Sequence, residues 1–420
     1  MGTGLSRRAV LTMGAALLMT AACGTGSGGN GKIKVWHGYT DAEATAFGKL
    51  ADRWNSAHPE QQVELVFNGG NDNVLQKTLA SFASGNPPEI AYQYGSSITG
   101  LTGRPQTQDL TDLVKNDADF RWDDLFAAAR EAATVDGKIY GIPALVDNLS
   151  LVYNKKLFDD AGLAHPTESW TWDDFRSAAR KLTGDGRYGW AYVNDGTEDT
   201  VWRFLALLWQ AGGDLLSGDG KKAAFASDAG RQAMQLLRDM AVTDKSVYLD
   251  AGDQQYLNLF NSGRVGMLWT GPWDLGVING DVSYGVQILP GKVTHATIAG
   301  PDTFVVFGDN GRKNALPFLK WLLSAEVHLE FAMETGHLPI RQSEVELPKY
   351  AEYAEKYPGA KVFVENLEKN VTKSRPNIPQ YPKISQVLGT AVQSVLLGQA
   401  EPQAALAQAA GEVDQALASS

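Results

Sequence analysis

The sequence predicts an α/β protein with a mainly parallel sheet, exported from the cell and large enough for two or three lobes. Three observations predict this. Strands and helices alternate over residues 32–94, the 420-residue chain has room for more than one core, and an apolar leader precedes the first strand.

The leader opens with Arg7 and Arg8, followed by an almost unbroken apolar run from Ala9 to Thr20. A bilayer of about 30 Å needs roughly 20 apolar residues, so this run is too short to span one and reads as an export signal. Ala21 and Ala22 are small enough for a peptidase, and Cys23, the only cysteine, stands where the run ends. The segment resembles a bacterial lipoprotein leader, with Thr20 where that pattern usually has Leu. Ser6 to Leu11 also resembles a twin-arginine signal. The expectation is a signal peptide over 1–22, lipid attachment at Cys23 and a flexible tether over 23–31. An ordinary cleaved signal with an accidental cysteine is the alternative.

Lys32 to Trp36 alternates as a strand does. A helix follows, with Thr40 and Glu43 spaced as a capping box and Ala44, Phe47, Leu50, Ala51 and Trp54 on one face. A second strand over 62–67, the turn Asn68-Gly69-Gly70, a helix from about Asn73 and a third strand over 89–94 complete a parallel-sheet pattern. In such sheets ligands bind beyond the carboxyl ends of the strands, here Trp36–Tyr39, Asn68–Gly70 and Gln93–Ser97. These ends carry rings and amides and little charge, which suits a neutral polar ligand. Asp136 to Pro143 reads as a hairpin leading into an extended run through Asn154. Helices are expected over 172–182, 201–210, 229–241, 314–323, 325–334 and 391–418, with strands over 265–270, 284–289 and 303–307.

The net charge of −11 argues against a nucleic-acid partner. A lone cysteine excludes an internal disulfide and a Cys-based zinc site, and the six histidines show no HxxxH or HxH spacing. No phosphate-binding GxxxxGK[ST] loop and no GxSxG elbow occurs. That absence speaks only weakly against an enzyme, since a glycosidase needs just two carboxylates. Eleven tryptophans and fourteen tyrosines suit stacking on sugar faces once the core is filled. Trp54, Trp190 and Trp321 lie on apolar stripes and are expected in the core.

The run from Gly141 to Phe158, ending in Ala161-Gly162-Leu163, resembles the signature of family 1 extracellular solute-binding proteins, the maltose-binding-protein-like receptors of ABC importers. Trp170 to Phe175, Phe260 to Met267, Gly271-Pro272-Trp273, Thr335 to Ile340, Arg375 to Tyr381 and the Gly398 to Ala405 tail are similar to that family in the same order. The resemblance spans essentially the whole chain after the leader; Leu145 departs from the small or polar residue often found at its position. It implies a two-lobed periplasmic-binding-protein-like fold, each lobe a mainly parallel sheet flanked by helices, with ligand in the interlobe cleft. Lobe 1 would take 32–146 and 300–335, and lobe 2 would take 147–299 and 336–420. Crossings would fall near Val146–Leu149, Ile298–Gly300 and Thr335–Pro339. The implied partners are a carbohydrate and the permease subunits of an ABC importer. The chain would be a monomer outside the cytoplasm, held to the membrane only by lipid on Cys23, with no cofactor and no metal.

The resemblance sets Trp273 against a sugar face, offers Trp202 as a second platform and gives His337 a ligand-touching place. Trp269, inside an apolar strand, reads as core. Asp147 and Asn148 interrupt an apolar run at the first crossing. Burying them without partners would cost about 1–3 kcal/mol each, so sugar hydroxyls or backbone groups must satisfy them. Tyr39, Asn68, Gln93 and Tyr94 occupy strand ends and either touch ligand or form ordinary loops. Gly300 would let backbone approach the ligand. Arg375 would bind hydroxyls or a phosphate, or pair with an acid. The function implied is capture of a di- or oligosaccharide for import. Glycerol 3-phosphate or a glycerophosphodiester is the alternative ligand, and a secreted carbohydrate-active enzyme is the alternative class.

Overall fold

A computed structural model describes residues 32–278, 280–369 and 371–419; the expected signal, Cys23 and the tether lie outside them. The alternating run becomes β1 (Ile33–His37), which buries Ile33, Val35 and His37 and exposes Lys34. It pairs in parallel with β2 (Val63–Phe67) and β3 (Ile90–Tyr94). Helix Asp41–Ala57 covers this sheet through Phe47, Leu50, Ala51 and Trp54, the face its spacing predicts. Its start differs from expectation. The Thr40 side chain makes no capping bond, and Glu43 turns instead to His337.

A short hairpin, β4 (Thr134–Val135) and β5 (Lys138–Ile139), turns at Asp136-Gly137 and leads into β6 (Gly141–Asn148), which is buried along its whole length. β6 lies antiparallel to β12 (Thr297–Val306). β12 also runs antiparallel to β3 and parallel to β13 (Thr372–Ser374), giving a first sheet in the order β13-β12-β3-β1-β2 with β6 beside β12. Only Leu149 separates β6 from β7 (Ser150–Asn154), which belongs to a second sheet. That sheet is completed by β8 (Tyr188–Val193), β9 (Val247–Asp250), β10 (Val265–Thr270) and β11 (Tyr284–Gln287), in the order β11-β7-β10-β8-β9. β10, β8 and β9 are parallel, whereas β7 is antiparallel to both of its neighbours. Each sheet is therefore mixed, with a parallel core beside antiparallel strands. A strand arriving from the other sheet enters without a crossover helix, so it need not run parallel.

Helix Trp172–Leu182 has a complete capping box: Asp174 N donates to Thr171 Oγ1 at 3.3 Å and Thr171 N donates to Asp174 Oδ2 at 2.9 Å. The helix packs on β8 and β10, where Phe175, Trp190 and Trp269 form a fully buried aromatic cluster. Each such side chain contributes roughly 2–3 kcal/mol of apolar burial. Trp54 is buried as expected, while Trp321 is half-buried with the Arg53 guanidinium 5.0 Å above its ring. The expected tail helix is two, Tyr381–Leu396 and Pro402–Ala418. Helices Lys349–Lys356 and Ala360–Glu368 and strands β9 and β13 were not anticipated. Helix Lys349–Lys356 packs against helix Ala325–Thr335.

Candidate functional site

Parallel strands of both sheets, β3 in the first and β8, β9 and β10 in the second, aim their carboxyl ends at one cavity of about 540 Å³. Tyr94 ends β3, Val193 ends β8 and Asp250 ends β9, while Trp273 sits in the turn Pro272–Asp274 just beyond β10. Asp147 on β6 and Gly300 and Asp302 on β12 reach the cavity where the two sheets exchange strands. A second cavity of about 760 Å³ shares Glu43, Gln254 and Trp273 with the first and runs on between Thr40–Glu43 and Asp253–Asn261.

Two indoles form its aromatic wall. The Trp202 and Trp273 ring centroids are 5.8 Å apart at 38°. Trp202 is 7% exposed, and its Nε1 is buried with no hydrogen-bond partner among the described residues. It comes from helix Glu198–Gln210, whose remaining apolar residues fill the second core. Trp273 is half-buried, because Gly271-Pro272 turns the chain out of the sheet ahead of it. Also in the lining, the Arg375 guanidinium lies 5.6 Å over the Tyr94 ring.

His337 joins three distant segments. Helix Ala325–Thr335 ends at Gly336, whose φ of +88° is a left-handed geometry glycine adopts without strain. The next residue turns inward. His337 Nδ1 bonds Asp147 Oδ2, and Nε2 bonds Glu43 Oε1 at 2.7 Å. The other Asp147 oxygen accepts from Leu338 N at 3.1 Å. Burial opposes a charge on this imidazole, but the two carboxylates outweigh it and push its pKa up to about 10. His337 is therefore a cation held between two anions at neutral pH.

The two arginines of the cavity are also paired. Arg375 Nη1 donates to Glu198 Oε1 at 3.0 Å, and Glu198 further accepts from the Tyr381 and Ser385 hydroxyls. Arg203 pairs with Asp199 one helical turn away. Asp302 accepts from the Tyr92 hydroxyl through Oδ2, whereas its Oδ1 is buried with no partner among the described residues. Burial raises the Asp302 pKa to about 7, against the Tyr92 bond and the pull of Arg375. Behind Trp273, Asp274 accepts from Tyr256 at 3.0 Å and from Thr270, and burial raises its pKa to about 6.

Of the residues anticipated from sequence, Tyr94, Asp147, Trp202, Trp273, Gly300, His337 and Arg375 line this cavity. Four others do not. Tyr39 is buried against Phe47, Tyr92 and Phe331. Asn68 donates to Val66 O at 3.1 Å within its own turn. Gln93 points to the opposite side of β3 from Tyr94 and donates to Thr78 Oγ1 at 3.2 Å. Asn148 is fully buried, donating to Phe363 O and accepting from Asn366, both at 2.9 Å. Gly300 also makes room for the wall: a Cβ there would stand 3.0 Å from Trp202 Cζ2, so its missing side chain admits the indole.

The expectation of a cleft poor in charge is also overturned, since seven carboxylates line it. Sequence reasoning missed Glu43, Tyr92, Glu198, Arg203, Asp250, Tyr256 and Asp302. Asp302 carried a usable signal, a lone acid in the strongly apolar run Ile298 to Phe307. Among the described residues no group of three or more His, Cys, Asp or Glu side chains is placed to hold a metal ion, and no helix is long and apolar enough to cross a membrane.

The chain is similar in structure to a cyclic α-maltosyl-1,6-maltose binding protein of Arthrobacter globiformis, with a TM-score of 0.79 and 28% identity over 93% of this chain and 99% of that one. It is also similar to an ABC-transporter solute-binding protein of Thermotoga lettingae solved with α-D-tagatose, with a TM-score of 0.81 and 27% identity over 92% and 99%. In sequence it is 24% identical over 404 residues to an sn-glycerol-3-phosphate-binding periplasmic protein of Pectobacterium atrosepticum, covering 89% of this chain and 88% of the relative. These neighbours are all binding proteins. Residues 38–328 match the bacterial extracellular solute-binding protein family, and the chain belongs to it.

Proposed function

We propose that this solute-binding protein of an ABC importer captures a sugar, specifically a di- or oligosaccharide, and does no chemistry on it. The observation that carries the reading is the Trp202–Trp273 pair sharing one cleft with carboxylate acceptors. Indole faces cover the C–H faces of a pyranose, and carboxylates accept from its hydroxyls. The second cavity, sharing Trp273 and Glu43 with the first, supports a ligand longer than one ring. Closure of the lobes about the crossings near 146–149, 298–300 and 335–339 would present the loaded form to the permease. Lobe boundaries near 146/147 and 299/300 fit this motion, whereas β13 (Thr372–Ser374), expected in lobe 2, pairs with β12 of the first sheet; a monomeric state and a lipid anchor at Cys23 belong to the same reading.

A stability screen tests the reading. A specific ligand raises stability as RT ln(1 + [L]/Kd), so mono-, di- and oligosaccharides should separate into binders and non-binders by thermal shift. No shift with any sugar would refute it, and sustained release of new reducing ends would favour an enzyme. Glycerol 3-phosphate or a glycerophosphodiester is the second reading, favoured by Arg375 in the cleft and by the Pectobacterium relative's own ligand. It requires an anion to compete with Glu198 for that guanidinium.

A further inference from the structure

The cations of the cleft are all matched, and its anions are not. Glu198 holds Arg375, Asp199 holds Arg203, and Asp147 and Glu43 share the single charge of His337. Asp195, Asp250 and Asp302 also line the cavity and form no ion pair among the described residues. Asp195 accepts from Thr197 and Thr200, and Asp250 from the backbone N–H groups of Gly252 and Tyr256 at 2.8 and 2.9 Å. Asp302 is the exception, because it lacks even neutral partners for one oxygen. It is 9% exposed, and its buried Oδ1 accepts from nothing among the described residues. A buried acceptor without a donor is costly, and a ligand N–H or O–H reaching it recovers that cost. Where anions outnumber cations beside aromatic faces, a donor carrying positive charge gains more than a neutral one.

We propose that the ligand is an amino sugar, a glycan whose ring bears a primary or secondary ammonium group that donates to Asp302 Oδ1 within the field of the unpaired carboxylates. An ammonium with N–H fits better than a quaternary nitrogen, because Oδ1 needs a donor. The inference rests on the sugar-binding reading above and deepens it. Sugar phosphates and uronic acids would meet the same carboxylates with the wrong sign.

Calorimetric titration of the full-length protein at pH 7.5, above the Asp302 pKa of about 7, tests this with matched sets. Glucose, galactose and cellobiose would be compared with their 2-amino-2-deoxy counterparts, with the 2-acetamido forms and with the trimethylammonium forms. At least one amine should bind roughly tenfold tighter than its neutral parent, its acetamide and its trimethylated form, with the advantage shrinking at high salt. In Asp302→Asn the amine should lose more affinity than its neutral parent, so that the amine advantage disappears. Neutral sugars binding as well as or better than amines would overturn the amino-sugar assignment and leave sugar capture standing. A trimethylated form binding as tightly as the amine would also overturn it. Silence with every sugar in the panel would overturn both.

Discussion

Trp202 and Trp273 meet at 5.8 Å between ring centroids, yet one is almost fully buried and the other half-exposed. The pair therefore divides its labour. Trp202 ties the wall to the second core, and Trp273 presents a face. Trp273→Ala should weaken sugar binding by roughly 1–3 kcal/mol with little change in unfolding. Trp202→Ala should lower stability by roughly 3–5 kcal/mol as well as affinity. Titration and urea unfolding of both variants check this; unchanged affinity in the Trp273 variant would remove that ring from the site.

Gly300→Ala tests the wall from behind. The new Cβ would lie 3.0 Å from Trp202 Cζ2, so the ring must move. A loss of about 1–3 kcal/mol in stability is expected, together with weaker sugar binding. The indole fluorescence should change in the ligand-free protein, before any sugar is added.

Asn148 interrupts an apolar run, where a polar residue must find partners in a ligand or in backbone groups. It finds Phe363 O and the Asn366 side chain, and neither is readable locally, since Asn366 lies 218 residues away. Asn148→Ala leaves Asn366 and Phe363 O short of partners in a buried place, which should cost about 1–3 kcal/mol. Intrinsic sugar affinity should remain within threefold, roughly 0.7 kcal/mol. A large affinity loss without a stability loss would return Asn148 to the binding site.

The same distinction separates what was legible from what was not. The strand–helix alternation and the helix face of Phe47, Leu50 and Trp54 were readable because periodicity is local. Trp273, Asp147, His337 and Arg375 were readable because each stands in a run resembling known receptors. Glu43 looked like a helix cap, since Thr40 sits three residues before it, but its partner His337 is 294 residues on. Tyr92 and Asp302 are 210 residues apart, and nothing local announces their bond. The charge of the cleft is hidden for that reason: its carboxylates come one or two at a time from two helices, three strands and a loop, none conspicuous alone.

His337 makes stability depend on pH in a defined window. Its pKa rises from 6.5 to about 10 on folding, so the folded state binds its proton more tightly. That stabilisation is complete below pH 6.5 and is lost progressively as pH climbs toward 10. Asp302 and Asp274, with folded pKa values of about 7 and about 6, lose their protons lower, and the buried tyrosines, whose hydroxyls are pushed up by burial, begin to contribute only near pH 10. Wild type should lose on the order of 2–4 kcal/mol between pH 7 and 9. His337→Gln should be less stable at pH 7 and show a flatter profile. Equal slopes for the two proteins in urea unfolding would mean that this imidazole is not charged in the fold.

Glu198 decides whether the cleft can receive a phosphate. The Arg375 side chain is 7% exposed, and Glu198 is its ion-pair partner. In Glu198→Gln the amide keeps the shape and can still accept from Tyr381 and Ser385, but it no longer neutralises the guanidinium. An unmatched buried charge costs roughly 3–5 kcal/mol, so the variant should be markedly less stable. An anion entering the cleft would now relieve that charge instead of competing with a carboxylate. Glycerol 3-phosphate or glucose 6-phosphate should therefore raise the variant's melting temperature by several degrees and leave wild type nearly unmoved. If wild type responds as strongly as the variant, Glu198 does not exclude phosphates, and the glycerol-phosphate reading gains over the sugar one.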